Sequence, residues 1–367
     1  MALPRPRPGI LEITPYVGGK AKSASSKPVA KLSSNESPLG PSPKAIAAYR
    51  ELAGELHRYP DGNATALRQA IGRRFNVDPD LVVCGAGSDE LISLLIRAYA
   101  GPGDEVLYSR HGFLMYPIAA LAAGAHPVAA PERNLTADVD ALLAHVTSRT
   151  RLLFLANPNN PTGSYLPATE LERLRAGLPE DVILVIDAAY AEYATAPDYA
   201  SGLELARGTP NTVCLRTFSK LFGLAALRLG WMTAAPAIVD VINRVRGPFN
   251  VSAPALAAGV AALEDLEHQE QARAHNATWL PWLTREIQAL GLTVHPSLGN
   301  FILIEFPSEP GHDAAAANAF LEAEGIIPRE MGAYGLPGCL RLSIGREEEN
   351  RRVVEALAAF VAGRRQA

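Results

Sequence analysis

Lys220 stands in Arg216-Thr217-Phe218-Ser219-Lys220, directly after the apolar run Val213-Cys214-Leu215, and Arg228 follows eight residues later. A lysine at the mouth of a buried strand, flanked by hydroxyls, suits a Schiff base to a phosphate-bearing aldehyde. Lys220 supplies the amine, while Thr217, Ser219 and Arg228 can hold the phosphate. A lysine taken alone is far more often a solvated surface charge, so the reading depends on what else the chain brings to the same place.

Gly87-Ser88-Asp89 falls at a strand-to-helix turn. Its glycine allows close backbone approach, and the new helix offers free N–H groups to an anion; an ordinary N-capped turn has the same composition. Asp187 ends the apolar run Val182-Ile183-Leu184-Val185-Ile186. A carboxylate there is costly unless it meets a cation. A pyridinium nitrogen is one such cation, and a nearby arginine or a helix to cap are the alternatives. Tyr190 follows by three, and Asn160 lies in Asn157-Pro158-Asn159-Asn160-Pro161-Thr162-Gly163. Both can hydrogen-bond a phenolic oxygen and favour its ionised form, and the Asn-Pro-Thr-Gly run also reads as a tight turn. Phe113 can stack on a flat ring or simply fill the core. The eight histidines are scattered without ligand spacing, so no metal site is expected.

These motifs follow apolar strands. Leu81–Cys84, Glu105–Tyr108, Leu152–Ala156, Val182–Ile186 and Thr212–Leu215 alternate with helical segments. Strands apolar on both faces predict a buried, mainly parallel α/β sheet. Ligands of such sheets collect at the carboxyl ends of the strands, so the loops should converge. A helix is expected over 42–55, with Pro43 in its first turn, and one long polar helical stretch over about 255–290. Residues 300–304 and 340–344 alternate like strands and predict a smaller α+β domain. The expected division is an N-terminal arm at 1–30, rich in Pro, Lys, Ser and Gly, a small domain of 31–50 and 268–367, and a large domain of 51–267.

Composition bounds the function. The 367 residues suggest two domains. Hydrophobic content of 48% and charged content of 20% read as soluble and globular. A net charge of −4 gives no argument for a nucleic-acid partner. Three distant cysteines imply neither a disulfide framework nor a zinc site and fit a reducing cytoplasm. No secretory signal and no membrane span is expected.

In motif order the chain resembles the fold-type-I, pyridoxal-phosphate-dependent aminotransferases, and most closely their histidinol-phosphate branch. The matching segments are Leu32–Pro41, Arg58–Gly62, Gly87–Glu90, Met115-Tyr116, Asn160–Gly163, Asp187, Tyr190, Arg216–Gly230 and Leu340–Gly345. The resemblance implies pyridoxal 5′-phosphate on Lys220, which would also shuttle the substrate proton. It implies Asp187 on the pyridine nitrogen, Asn160 and Tyr190 on the ring oxygen, and Phe113 on the ring face. Gly87, Ser88, Asp89, Thr217, Ser219 and Arg228 would surround the phosphate. Tyr59 would reach the phosphate of a neighbouring subunit, making a homodimer with shared sites. Arg341 would hold the substrate carboxylate, with Arg329, Tyr16, Asn35 and Glu36 as further substrate contacts. The implied reaction is ping-pong transamination between L-histidinol phosphate and 2-oxoglutarate, giving imidazole acetol phosphate and L-glutamate.

Two positions depart from the family pattern. Ala188 replaces a glutamate in Asp-Glu-Ala-Tyr, and Ala226 replaces a glycine in Gly-Leu-Ala-Gly. Three other functions are compatible with the fold: an aromatic amino-acid aminotransferase, a pyridoxal-phosphate lyase resembling threonine-phosphate decarboxylase, and a cofactor-binding regulator. The last is disfavoured because the catalytic lysine is retained and no DNA-binding segment is apparent.

Overall fold

Every residue of Ile183–Asp187 and of Thr212–Thr217 is buried, the pattern of strands covered by helices on both faces. Both lie in a seven-stranded sheet of the computed structural model, which describes residues 4–22 and 25–364. Parts of the expected arm, residues 1–3 and 23–24, fall outside the described residues.

In chain order the first strands are β1 (Ala30–Lys31), β2 (Val82–Gly85), β3 (Glu105–Ser109), β4 (His126–Ala130), β5 (Glu132–Arg133), β6 (Thr136–Ala137) and β7 (Thr150–Ala156). There follow β8 (Ile183–Asp187), β9 (Thr212–Thr217), β10 (Gly230–Thr233), β11 (Thr293–His295) and β12 (Phe301–Glu305). The last are β13 (Ile326–Ile327), β14 (Arg329–Glu330) and β15 (Cys339–Ser343). The large sheet runs β2-β10-β9-β8-β7-β3-β4. Its pairs are parallel except those of β10, which is antiparallel to both β2 and β9. The sheet is therefore mixed and mainly parallel, the α/β class expected. The small sheet, β11-β12-β15-β14, is antiparallel, and β1 pairs in parallel with β13.

Each sheet carries its own core. One face of the large sheet packs Leu91, Ile92, Leu95, Phe154, Val185 and Leu215 together. The small sheet packs Ile302, Ile304, Leu340 and Leu342 against Leu283, Ile287, Val353 and Leu357 of the helices Leu266–Ala289 and Glu347–Arg364.

Two helical expectations change. The single stretch over 255–290 is two helices, Ala253–Glu264 and Leu266–Ala289. They separate at Asp265, whose carboxylate accepts the His268 N–H and restarts the chain as an N-cap. The helix expected over 42–55 is α-helical only over Pro43–Glu51, with a 3₁₀ turn at Leu52–Gly54. Ser42 caps it by accepting the Ala45 N–H at 3.1 Å. Its Ala45 is buried with Leu67, Ile71, Ala255 and Ala258. In packing terms this helix sides with the large sheet's helices, ahead of the boundary expected at residue 50.

Candidate active site

Strands β7, β8 and β9 run parallel and end together, so the loops after Ala156, Asp187 and Thr217 open on one side. A cavity of about 290 Å³ lies there. The large sheet contributes Ser88, Asp89, Phe113, Asn160, Asp187, Tyr190, Thr217, Ser219, Lys220 and Arg228 to its walls. Arg341, Asn35 and Glu36 come from β15 and the segment after β1, and Tyr16 from the arm. Residues more than 300 positions apart in sequence thus face one space.

Lys220 Nζ donates to the Ser34 carbonyl at 3.2 Å and lies 5.6 Å from the centre of the Tyr190 ring. Burial is the main reason its ammonium drops to about 8, and the Arg341 charge pushes the same way. A neutral amine is therefore accessible near neutral pH, as a carbonyl nucleophile requires. Asp187 is 5% exposed. Burial pushes its carboxyl up to about 6, against the pull of the Tyr116 hydrogen bond. Tyr116 Oη donates to Asp187 Oδ2 at 2.9 Å. Asp187 Oδ1 is buried with no hydrogen-bond partner. Such an acceptor is expensive unless a donor meets it, and a protonated ring nitrogen in the cavity is a fitting one.

The anion cup is built where β2 turns into the helix Ser88–Tyr99. Gly87 takes a φ of +81°, and a Cβ there would run into the Arg228 guanidinium. Only a glycine lets that guanidinium approach so closely. The first N–H groups of the helix have no intrahelical partner. Opposite them, Thr217 Oγ1 donates to Ser219 Oγ at 3.0 Å, and Arg228 Nη1 reaches Ser219 Oγ at 3.4 Å. Arg228 Nη2 pairs with Asp89 at 2.9 Å. Two hydroxyls, a guanidinium and a helix N-terminus converge as a phosphate monoester demands.

Substrate-side groups come from the small sheet and the arm. Arg341 is 5% exposed and donates through Nη2 to the Ser33 carbonyl at 2.9 Å and through Nη1 to Asn160 Oδ1. Its Nε is buried with no partner. Asn35 Nδ2 donates to Tyr190 Oη at 2.9 Å, which ties the segment after β1 to the loop after β8. Glu36 pairs with Lys31 at 2.6 Å.

Two sequence candidates stand elsewhere. Tyr59 is 82% exposed and stacks on Phe249 with ring centres 4.7 Å apart, away from this cavity. Arg329 lines a second cavity of about 800 Å³ that shares Tyr16 and Gly18 with the first. Its Nη2 donates to the Val17 carbonyl at 2.6 Å, and its guanidinium lies over the Tyr16 ring. Sequence reasoning gave no role to Tyr116 or to the Ser34 carbonyl. A tyrosine within Met115-Tyr116-Pro117 carries no local sign that it will meet a carboxylate 71 positions away.

Residues 27–357 match the family described as aminotransferase class I and II. The chain is 60% identical over 361 residues to the histidinol-phosphate aminotransferase of Paramagnetospirillum magneticum, covering 98% of this chain and 99% of that one. It is 59% identical over 363 residues to the enzyme of the same name from Rhodospirillum centenum, covering 99% and 100%. Among solved structures it superposes on the Sinorhizobium meliloti histidinol-phosphate aminotransferase in complex with pyridoxal-5′-phosphate. The TM-score is 0.88 and the identity 30%, over 99% of both chains.

Proposed function

The chain belongs to the class I and II aminotransferases, and from that premise we propose that it moves the amino group of L-histidinol phosphate to 2-oxoglutarate. The products are imidazole acetol phosphate and L-glutamate, a step of histidine biosynthesis. Its cofactor is pyridoxal 5′-phosphate, for which the unpartnered Asp187 Oδ1 and the hydroxyl–guanidinium cup provide fitting groups. When bound, the cofactor supplies an aldehyde for the substrate amine and a protonated ring that takes up the electron pair freed at the substrate Cα.

The residues divide the remaining work. Asp187 Oδ1 accepts the ring N–H and keeps that proton in place. Asn160 and Tyr190 hold the ring oxygen, and Phe113 covers the ring face. Ser88, Asp89, Thr217, Ser219 and Arg228, with the Gly87 turn, fix the phosphate. Lys220 Nζ, once free, takes the proton from the substrate Cα. Arg341 binds the α-carboxylate of glutamate, and Arg329 and Tyr16 help Arg341 with the phosphate ester of histidinol phosphate. Asn35 and Glu36 close the substrate side.

The observation that supports the substrate assignment is Arg341 itself, a buried guanidinium that lines the cavity and keeps an Nε donor without a partner. Glutamate brings a carboxylate, whereas histidinol phosphate brings a phosphate ester and no carboxylate. An arginine fork matches either anion. Competition between L-histidinol phosphate and L-phenylalanine as amino donors tests it. A higher kcat/KM for phenylalanine would make the protein an aromatic amino-acid aminotransferase.

The active unit in this reading is a homodimer. Tyr59 and Phe249 form an exposed stacked pair, and Leu39, Ile46, Tyr49 and Leu56 add exposed apolar side chains. A neighbouring subunit would cover these and receive Tyr59 at its phosphate cup. Sedimentation of Tyr59→Ala beside the wild type tests this, with weaker cofactor retention expected in the variant. We assign the enzyme to the cytoplasm, a reading supported by three buried, unpaired cysteines. Among the described residues no helix is long and apolar enough to cross a membrane.

A further inference from the structure

Tyr116 touches neither the anion cup nor the substrate arginines, yet it contacts two groups that face the cavity from different directions. It is fully buried in the helix Met115–Ala123. Its ring stacks on Phe154 with centres 4.8 Å apart. It stands perpendicular to the Phe113 ring, with centres 6.0 Å apart and an interplanar angle of 89°. Its hydroxyl donates to Asp187 Oδ2 at 2.9 Å. Phe113 lies at the start of the turn leading into this helix, and Asp187 ends β8, so two separate elements take their positions from one side chain.

We propose that Tyr116 is a positioning residue for the transamination: its hydroxyl occupies Asp187 Oδ2 and leaves Oδ1 as the acceptor for the cofactor's ring nitrogen, while its perpendicular ring packs against Phe113. The inference rests on the cofactor reading above and deepens it. A free carboxylate has about four acceptor directions on two oxygens. Without the tyrosine it could rotate or share itself between donors. With Oδ2 engaged by Tyr116, and the Ala189 backbone N–H also acting on the carboxyl, Oδ1 is the oxygen left without a partner. The hydrogen bond also favours the charged carboxylate against the burial that opposes it.

The other ionisable groups acting on Asp187 are few. Asp89 from the helix Ser88–Tyr99 favours its protonation, and Lys220 from the loop after β9 opposes it. Tyr334 and Asp89 also act on Tyr116. None of these three hydrogen-bonds the carboxylate. Tyr116 therefore has the one side-chain hydroxyl that holds it among the described residues.

The test is cofactor affinity of the cofactor-free protein as a function of pH, measured by quenching of tryptophan fluorescence. Tyr116→Phe keeps both ring contacts and removes the hydroxyl. Its carboxylate should then protonate at higher pH, so the acid limb of pyridoxal phosphate binding should move up by about one pH unit. Tyr116→His, which restores a donor, should bring the limb back towards the wild type. Circular dichroism establishes that each variant is folded. The same Tyr116→Phe change in an Asp187→Asn background should leave the limb where Asp187→Asn alone puts it. Two outcomes overturn the proposal: a Tyr116→Phe limb that coincides with the wild type, or an equal shift in both backgrounds, which would mean a packing effect that bypasses Asp187. Failure of the wild-type protein to bind pyridoxal phosphate at all would instead remove the cofactor reading itself.

Discussion

Arg329 and Arg341 sit directly opposite each other across the antiparallel strands β14 and β15. Residues paired in this way leave the sheet on the same face, and like charges so placed repel. Arg329 is partly relieved by the Val17 carbonyl and the Tyr16 ring. Arg341 keeps a buried Nε without a partner. In the proposed function these two guanidinium groups, one from each of two cavities that share Tyr16 and Gly18, would meet one anion, and a doubly charged phosphate ester would use both more fully than a carboxylate.

Arg341→Ala should therefore slow the glutamate half-reaction by about 3 kcal/mol, roughly 100-fold, the usual scale for truncating one partner of a buried charge pair. Arg329→Ala should harm histidinol phosphate more than glutamate. Stopped-flow half-reactions with each donor measure both. Unchanged glutamate kinetics in a folded Arg341→Ala protein would mean that another residue binds the carboxylate.

Lys220 should be the attachment point of the cofactor. Borohydride reduction followed by peptide mapping should place the pyridoxyl label there. A Lys220→Ala variant should retain the cofactor without covalent linkage and lose turnover. Label on any other lysine would refute the assignment.

Asp187→Asn should still bind the cofactor but lose most activity, because a neutral amide cannot hold the ring proton by charge. A loss of ~3–4 kcal/mol of transition-state stabilisation is typical for one preorganised electrostatic group. Steady-state kcat settles this, and near-wild-type turnover would remove the role.

The same residue gives a stability prediction of opposite sign. Folding raises the Asp187 carboxyl from 3.8 to about 6, so the cofactor-free native state binds an extra proton between those values. Stability is then lost as pH rises from about 4 to 6, by about 3 kcal/mol at most, taking each unit as 1.36 kcal/mol. Asp187→Asn should match the wild type in urea unfolding near pH 4 and exceed it at pH 7. Lys220, lowered from 10.5 to about 8, makes the complementary contribution: stability is regained as pH rises from about 8 to 10.5. The rate of cofactor capture should rise with pH through about 8, as the amine loses its proton. A capture rate independent of pH between 7 and 9 would contradict the lowered lysine.

Much of the large unit is legible locally. Val182–Ile186 is apolar throughout and Thr212–Leu215 is apolar after Thr212, so they declare themselves as interior strands; the structure starts the first at Ile183 and carries the two on to Asp187 and Thr217. Gly87, Ser88, Lys220 and Arg228 are legible because their types suit anion and carbonyl chemistry at strand ends. What depends on distant pairing is not legible. β10 is not among the strands expected from sequence, and nothing local says that a strand there runs antiparallel between β2 and β9. The Arg329–Arg341 register is a pairing across the segment 331–338, which local composition does not display. The Tyr116 hydroxyl is assigned to Asp187 only once a helix from one crossover is laid beside the end of β8. The break at Asp265 is a single capping residue within a helical composition, and periodicity alone passes over it.

The most direct test of the account is a single-turnover half-reaction followed by absorbance. Mixing the cofactor-loaded enzyme with L-histidinol phosphate should convert the lysine-bound cofactor to its aminated form, with one equivalent of imidazole acetol phosphate released. Addition of 2-oxoglutarate should then restore the starting spectrum and yield L-glutamate. A spectrum that stays unchanged with L-histidinol phosphate, while L-glutamate or L-phenylalanine converts it, would contradict the proposed function.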